Sequence, residues 1–262
     1  MPEPRDDGRP QGGHDEHFTL PDATSPAPVS VPNPGLYSTF LLTTAYTGVV
    51  IVGSHWPLWG VRNATIHDLY DRHMGAVHLE VGPGNSHFLR RASRRQRRQA
   101  RRAHRPARTQ RVDLMDYHEG PLQVGTRRLR RRYPALAVHR GDALAAWPVP
   151  EHTYNSVGMT MVVHTLPGRS LHDKVAAFVG AARALKPGGV FFGCAVAGED
   201  DPAPISALGA RVRRRYNAQD NTFHNAGDTE HQLKSVLAFA FPDAVSLRVW
   251  REGATLLWEV MA

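Results

Sequence analysis

The stretch 77–86, V-H-L-E-V-G-P-G-N-S, limits the possible folds more than any other part of the chain. Val77, Leu79 and Val81 give a run of strand-forming apolar residues, and Glu80 sets an acid just before a turn. Gly82 and Gly84 mark backbone positions where a Cβ would obstruct a tight bend or a close ligand. From His87 onward the pattern permits a helix whose first N–H groups favour polar or anionic atoms. A strand–Gly-x-Gly–helix occurs both in nucleotide-binding folds and as an ordinary tight turn, so the units downstream decide between them.

Those units alternate. A short strand at 112–115 ends at Asp116, with Asp113 as the competing acid, and a helix is expected over 121–132. A third strand at 136–139 runs into the turn Gly141-Asp142-Ala143. A fourth is expected at 155–161, continuing through V-V-H-T-L-P-G. A helix over 171–185 is stopped by Lys186-Pro187-Gly188-Gly189, and a fifth strand follows at 190–196. Helices at 203–216 and 232–241 precede strands at 245–250 and 255–260, whose short Glu252-Gly253 connection requires an antiparallel pair. The expected architecture is therefore α/β: a Rossmann-like, seven-stranded, doubly wound sheet closed by a C-terminal antiparallel hairpin.

The N-terminal part differs in composition. Residues 1–34 are rich in Pro, Asp, Gly and Ser and too poor in apolar surface to offset ordering entropy, so a disordered tail is expected there. Residues 35–74 turn apolar and aromatic, with Tyr37, Phe40, Leu41 and Thr44 at helical spacing, and read as a helical cap on the main domain, 75–262. The single cysteine, Cys194, excludes a disulfide framework and a cysteine-cluster metal site. The histidines are scattered without ligand spacing, so no metal is expected. With no signal-peptide core and no apolar run long enough to span a bilayer, a cytoplasmic protein is expected.

The formal charge of +8 is unevenly placed. An arginine run fills 90–111 and a second one 127–132. Each reads either as a phosphate-binding stripe or as a solvated helix face. The first run lacks aromatic residues for base stacking, which favours the solvated reading.

Taken together, H-L-E-V-G-P-G-N-S, L-M-D-Y, G-D-A-L, N-S-V-G-M-T-M-V-V-H-T-L-P-G and L-K-P-G-G-V-F-F-G resemble the class I S-adenosylmethionine-dependent methyltransferases, over about 36–260. H-T-L-P-G, the Y-N-A-Q-D-N-T-F-H-N-A-G-D run and the aromatic N-terminal segment resemble a branch of small microbial enzymes in that family. The resemblance implies S-adenosylmethionine as cofactor. It implies that Glu80 and the backbone of Gly82, Pro83 and Gly84 hold the cofactor's amino-acid end. Asp116 would accept from the ribose hydroxyls and Tyr117 would flank the adenine. Asp142 and the N–H of Ala143 would meet the adenine edge, and Met161 would line the wall below the sulfonium. The chain departs from the family pattern at Ser86, where a third glycine is common, and in the 32 residues separating Gly84 from Asp116.

The resemblance implies methyl transfer by direct displacement, with a small-molecule acceptor favoured because the aromatic cap could close a compact pocket. The alternatives are an RNA or DNA methyltransferase using the arginine-rich segment, or a non-catalytic cofactor-binding module. A nicotinamide-dependent dehydrogenase is disfavoured, because G-P-G-N-S-H does not give G-x-G-x-x-G. His164 follows the fourth strand at the edge where open α/β sheets bind ligands, and is the candidate base. Tyr37, Tyr46, Tyr216, Asn217, His224 and Asn225 are candidates for the acceptor pocket.

Overall fold

The computed structural model describes residues 53–104, 107–218 and 222–262. Its seven strands are β1 (Val77–Val81), β2 (Arg111–Asp116), β3 (Ala137–Arg140), β4 (Tyr154–Thr160), β5 (Leu185–Val196), β6 (Ser246–Glu252) and β7 (Thr255–Met261). They form one sheet in the order β3-β2-β1-β4-β5-β7-β6. The first five are parallel and β7 runs antiparallel between β5 and β6, as the short Glu252-Gly253 connection requires. Strand order reverses between β1 and β4, and open α/β sheets bind ligands at the crevice beyond such a switch point.

The helices are α1 (Gly53–Trp59), α2 (Asn63–His73), α3 (His87–Arg102), α4 (Glu119–Leu129), α5 (Val175–Ala184), α6 (Ala207–Asn217) and α7 (Glu230–Ala240). They cover both faces of the sheet because strand side chains alternate. Phe191 and Phe192, neighbours on β5, enter two different cores. One core takes Leu79, Val157, Phe178 and Trp258; the other takes Ile66, Phe88, Leu114 and Leu122. Helix α3 shows how an arginine-rich segment can still be helical. Phe88, Leu89, Ala92, Ser93, Gln96 and Ala100 make one buried stripe, and the arginines occupy the rest of the circumference. No helix among the described residues is long and apolar enough to cross a membrane.

Several boundaries differ from the sequence expectation. Strand β4 ends at Thr160 instead of continuing through V-V-H-T-L-P-G. Met161 takes a left-handed φ of 58°, its N–H donates to Cys194 O at 2.7 Å, and Val163–Thr165 forms a 3-10 turn. The helix expected from 171 begins as a 3-10 turn, Leu171–Lys174, closed by a capping box between Ser170 and Asp173. Lys186-Pro187-Gly188-Gly189 does stop α5, but lies inside β5, where the register with β4 jumps between Tyr154 and Ser156. Pro202 and Pro204 precede a later start for α6, whose Ser206 Oγ accepts from Gly209 N. The N-terminal tail and most of the expected cap, with Tyr37 and Tyr46, lie outside the described residues.

Candidate active site

The glycine turn emerges from β1 at the switch point. Gly82 N donates to Met115 O at 2.9 Å, tying the turn to β2. Gly82 has a φ of 67°, and a Cβ there would fall 2.2 Å from Val162 Cγ2. Ser86 adopts φ 56° and ψ 29°, the left-handed region that a third glycine would supply without strain. Its hydroxyl is buried without a hydrogen-bond partner, and α3 is capped instead by Asn85 Oδ1, which accepts from His87 N at 3.1 Å. The departure at Ser86 thus changes the side chain but keeps the turn's backbone.

Below the turn lies a buried polar chain. Tyr70 of α2 donates its hydroxyl to Glu80 Oε1 at 2.5 Å, leaving Thr160 Oγ1, 2.7 Å away, to donate to Tyr70. The other Glu80 oxygen lies 3.0 Å from His78 Nε2, whose Nδ1 is 2.8 Å from Ser156 Oγ. The Glu80 carboxylate can only accept, which assigns the imidazole proton to Nε2, so Nδ1 accepts from Ser156 Oγ, which itself accepts Gly75 N–H. Gly158 on β4 makes room, since a Cβ there would stand 2.6 Å from Glu80 Oε2. Burial and the adjacent Glu80 hold the Tyr70 phenol well above its usual range, so it remains a donor. The sequence reading found Glu80 but missed Tyr70, His78 and Thr160. A signal existed: His78 and Glu80 alternate on one face of a strand that is otherwise apolar.

Asp116 sits at the carboxyl end of β2. One oxygen accepts His118 N at 2.8 Å. Burial pushes its carboxyl up to about 7, against the lowering effect of the His118 and Tyr117 N–H groups. Tyr117 packs edge-on to His118. Asp142 Oδ1 accepts Leu144 N at 2.9 Å, fixing the Gly-Asp-Ala turn, and Ala143 is buried beside it. Glu80, Gly82, Pro83, Gly84 and Met161 line one pocket together with His55, Tyr70, Asn85 and Thr160. These residues fit S-adenosylmethionine. The turn is a cradle that a Cβ at Gly82 would fill, and Asp116 offers a half-buried carboxylate, an acceptor of the kind ribose hydroxyls need, at the end of β2.

His164 is placed differently from that pocket's wall. It is buried, its Nδ1 accepts Val196 N–H at 3.3 Å, and its ring packs edge-on to Phe223 at 4.5 Å. Burial, with Lys174 and His55 adding to it, brings its pKa down to about 3. The insertion residues brace this region. Asn217 and Asn225 bond each other's amides, and Asn225 Nδ2 donates to Val196 O at 2.8 Å. His224 N donates to His164 O, and Tyr216 packs on Phe223. A buried pair, Lys174 Nζ to Asp228 Oδ2 at 2.8 Å, lies alongside and also bonds His224 O.

Two imidazoles line the pocket, those of His55 and His87, and only His55 has its Nδ1 tied to a side-chain acceptor. His55 of α1 stacks on Phe88, with ring centroids 5.9 Å apart. Its Nδ1 lies 2.8 Å from Asn63 Oδ1, which can only accept and so places the proton on Nδ1. That leaves Nε2 as a lone-pair acceptor. Burial brings His55 down to about 4, so its ring is neutral at neutral pH. The sequence reading passed over this residue, since its acceptor-pocket candidates from the aromatic cap were Tyr37 and Tyr46.

Comparisons with known proteins agree with this fold. Residues 79–193 match the model of a methyltransferase domain family. The chain is 32% identical over 197 residues to the demethylluteothin O-methyltransferase of Streptomyces thioluteus, spanning 75% of this chain and 78% of that one. It is 26% identical over 191 residues to an O-methyltransferase of Aspergillus niger, spanning 71% and 90%. Among solved structures, a methyltransferase-like protein of Bacillus halodurans superposes with a TM-score of 0.54 at 14% identity, spanning 76% and 98%.

Proposed function

Because the chain belongs to the class I S-adenosylmethionine-dependent methyltransferases, we propose that it methylates an acidic hydroxyl, phenolic or enolic, of a small molecule, with His55 as the base. The observation that carries this reading is the His55 imidazole in the wall of the glycine-turn pocket, with Nδ1 held by Asn63 and Nε2 left to accept. Both curated relatives described above are O-methyltransferases, which supports oxygen as the methylated atom.

When bound, S-adenosylmethionine supplies an electrophilic methyl group on a sulfonium. The chain's residues position both reactants and manage one proton. The glycine turn and Glu80 would receive the cofactor's amino-acid end, Asp116 would accept hydrogen bonds from the ribose hydroxyls, and Tyr117, Asp142 and Ala143 would border the adenine. Met161, held in its left-handed conformation, borders the reaction space. Alignment of nucleophile and methyl contributes most of the acceleration, up to about 7–11 kcal/mol. Nε2 of His55 takes the acceptor proton. An imidazole brought down to about 4 is a weak base, which suits a hydroxyl near the phenol value of about 10 rather than an aliphatic alcohol.

His164 we assign to positioning, through Val196, of the segment that follows β5. Tyr216 is the described residue of the insertion best placed to border an acceptor, since its ring continues the Trp59–Phe223 aromatic cluster. The test is His55→Ala assayed with a panel of phenols and aliphatic alcohols. Turnover on phenols should fall about 10²–10⁴-fold while S-adenosylmethionine still binds. Undiminished turnover would remove His55 as the base.

A further inference from the structure

The two arginine runs, distant in sequence, meet in space. Arg90, Arg94 and Arg97 follow one another at i, i+4 and i+7 on α3, and so share a face. Opposite them stands the segment 127–132, from the end of α4 and the turn after it. Between the two lies an open groove of about 1130 Å³. Its walls are fixed from beneath by Tyr133, whose buried hydroxyl donates to Ser93 Oγ at 2.8 Å.

None of these arginines forms an ion pair with a carboxylate among the described residues. The arginines that do are Arg62, Arg72, Arg95, Arg111, Arg248 and Arg251. Arg95 makes the contrast on α3 itself, because it points away from the groove and pairs with Asp71 at 2.6 Å. Glu119 lines the neighbouring groove together with Arg127 and Arg130. Within the groove the arginines satisfy one another's backbone instead. Arg97 donates to Arg132 O, and Arg132 donates to Arg128 O at 3.2 Å. Burial and the crowding of like charges from Arg90, Arg94 and Arg97 hold Arg132 below the ordinary guanidinium range. A solvated helix face would spread its charge. This one concentrates it in a concavity that lacks counter-charge.

We infer that this groove is a binding site for a chain of closely spaced phosphates, distinct from the methyl-acceptor pocket. Planar guanidinium forks match phosphate oxygens in pairs, which makes arginine better suited to such a ligand than lysine. The residues lining the groove are arginines and Pro134, with no aromatic platform, so bases would not be stacked or read. Recognition is of backbone charge, as offered by a nucleic-acid duplex or by free inorganic polyphosphate. The groove also touches the cofactor turn, because Arg128 Nη1 donates to Asn85 O at 2.6 Å. A phosphate that recruits Arg128 would compete for that bond.

The test is fluorescence-anisotropy titration of the full chain with labelled inorganic polyphosphate and with mixed-sequence duplex RNA, over a salt series. Polyglutamate of matched charge serves as the non-phosphate probe. The groove variant carries Arg94→Gln, Arg127→Gln and Arg131→Gln, all exposed side chains with no hydrogen-bond or ion-pair partner among the described residues. The control variant removes equal charge from α6 through Arg211→Gln, Arg214→Gln and Arg215→Gln. Either phosphate probe should bind. The groove variant should lose at least tenfold in affinity and lower the salt slope by about two to three, roughly one phosphate contact per arginine. The α6 variant should stay within about threefold of wild type, and the stronger of the two phosphate probes identifies the source. Three results would overturn the inference: no phosphate binding at physiological salt, an equal loss in the α6 variant, or polyglutamate binding as tightly as phosphate.

Discussion

Replacing Tyr70 with Phe removes one oxygen from the buried chain beneath the glycine turn and leaves the ring in place. Tyr70 is 1% exposed and Glu80 2%. The lost hydroxyl donates to Glu80 at 2.5 Å and accepts from Thr160 at 2.7 Å. A hydrogen bond to a charged group contributes about 1.5–3 kcal/mol, and a neutral one about 0.5–1.5. The ring keeps its contacts with Phe88 and Phe192, so no cavity term is added. The expected cost is about 2–4 kcal/mol, or a Tm lower by on the order of 10 °C for a domain of this size. Thr160→Val, which breaks only the neutral bond, should cost about 1 kcal/mol. Thermal and urea unfolding of both variants, and of the double variant, measure the chain bond by bond. A Tyr70→Phe protein melting within about 2 °C of wild type would refute the claim that the Tyr70 hydroxyl helps hold Glu80.

Other substitutions test separate parts of the account. Ser86→Gly should stabilise the protein by about 1 kcal/mol, since it relieves a left-handed serine and removes a buried, unpartnered hydroxyl; a lower urea midpoint would contradict this. Lys174→Met should cost about 3–5 kcal/mol by leaving Asp228 buried and uncompensated, and Lys174→Met with Asp228→Leu should recover much of it; a double variant no better than the single one would count against the pair. For the pH dependence, the His55 base is active when neutral and its folded pKa is lowered to about 4. Its contribution to kcat/KM should therefore be flat from pH 6 to 8 and fall only as pH drops through about 4, whereas an inflection near 6.5 that disappears in His55→Ala would contradict the placement.

The order of elements and the antiparallel closing hairpin were legible because hydrophobic period, glycine–proline punctuation and connection length are local signals. The positions of the acids were legible for the same reason, since Glu80 and Asp116 lie at the ends of β1 and β2 and Asp142 in the turn just after β3. What escaped was set by tertiary contact. Nothing local to Tyr70 announces that its hydroxyl reaches Glu80 and Thr160, and nothing in V-V-H-T shows that Met161 turns left-handed to end β4. The meeting of the two arginine runs was not legible for a related reason. Each alone reads as a solvated face, and only the packing of α3 against the segment after α4 makes them two walls of one groove.

The most direct test of the central claim is transfer of a radiolabelled methyl group from S-adenosylmethionine, followed in parallel into small hydroxylated aromatics, total RNA and protein, for wild type and Asp116→Ala. The account predicts label on a small-molecule oxygen with wild type, and loss of both transfer and cofactor binding with Asp116→Ala. Label confined to RNA or protein, or transfer undiminished in Asp116→Ala, would contradict it.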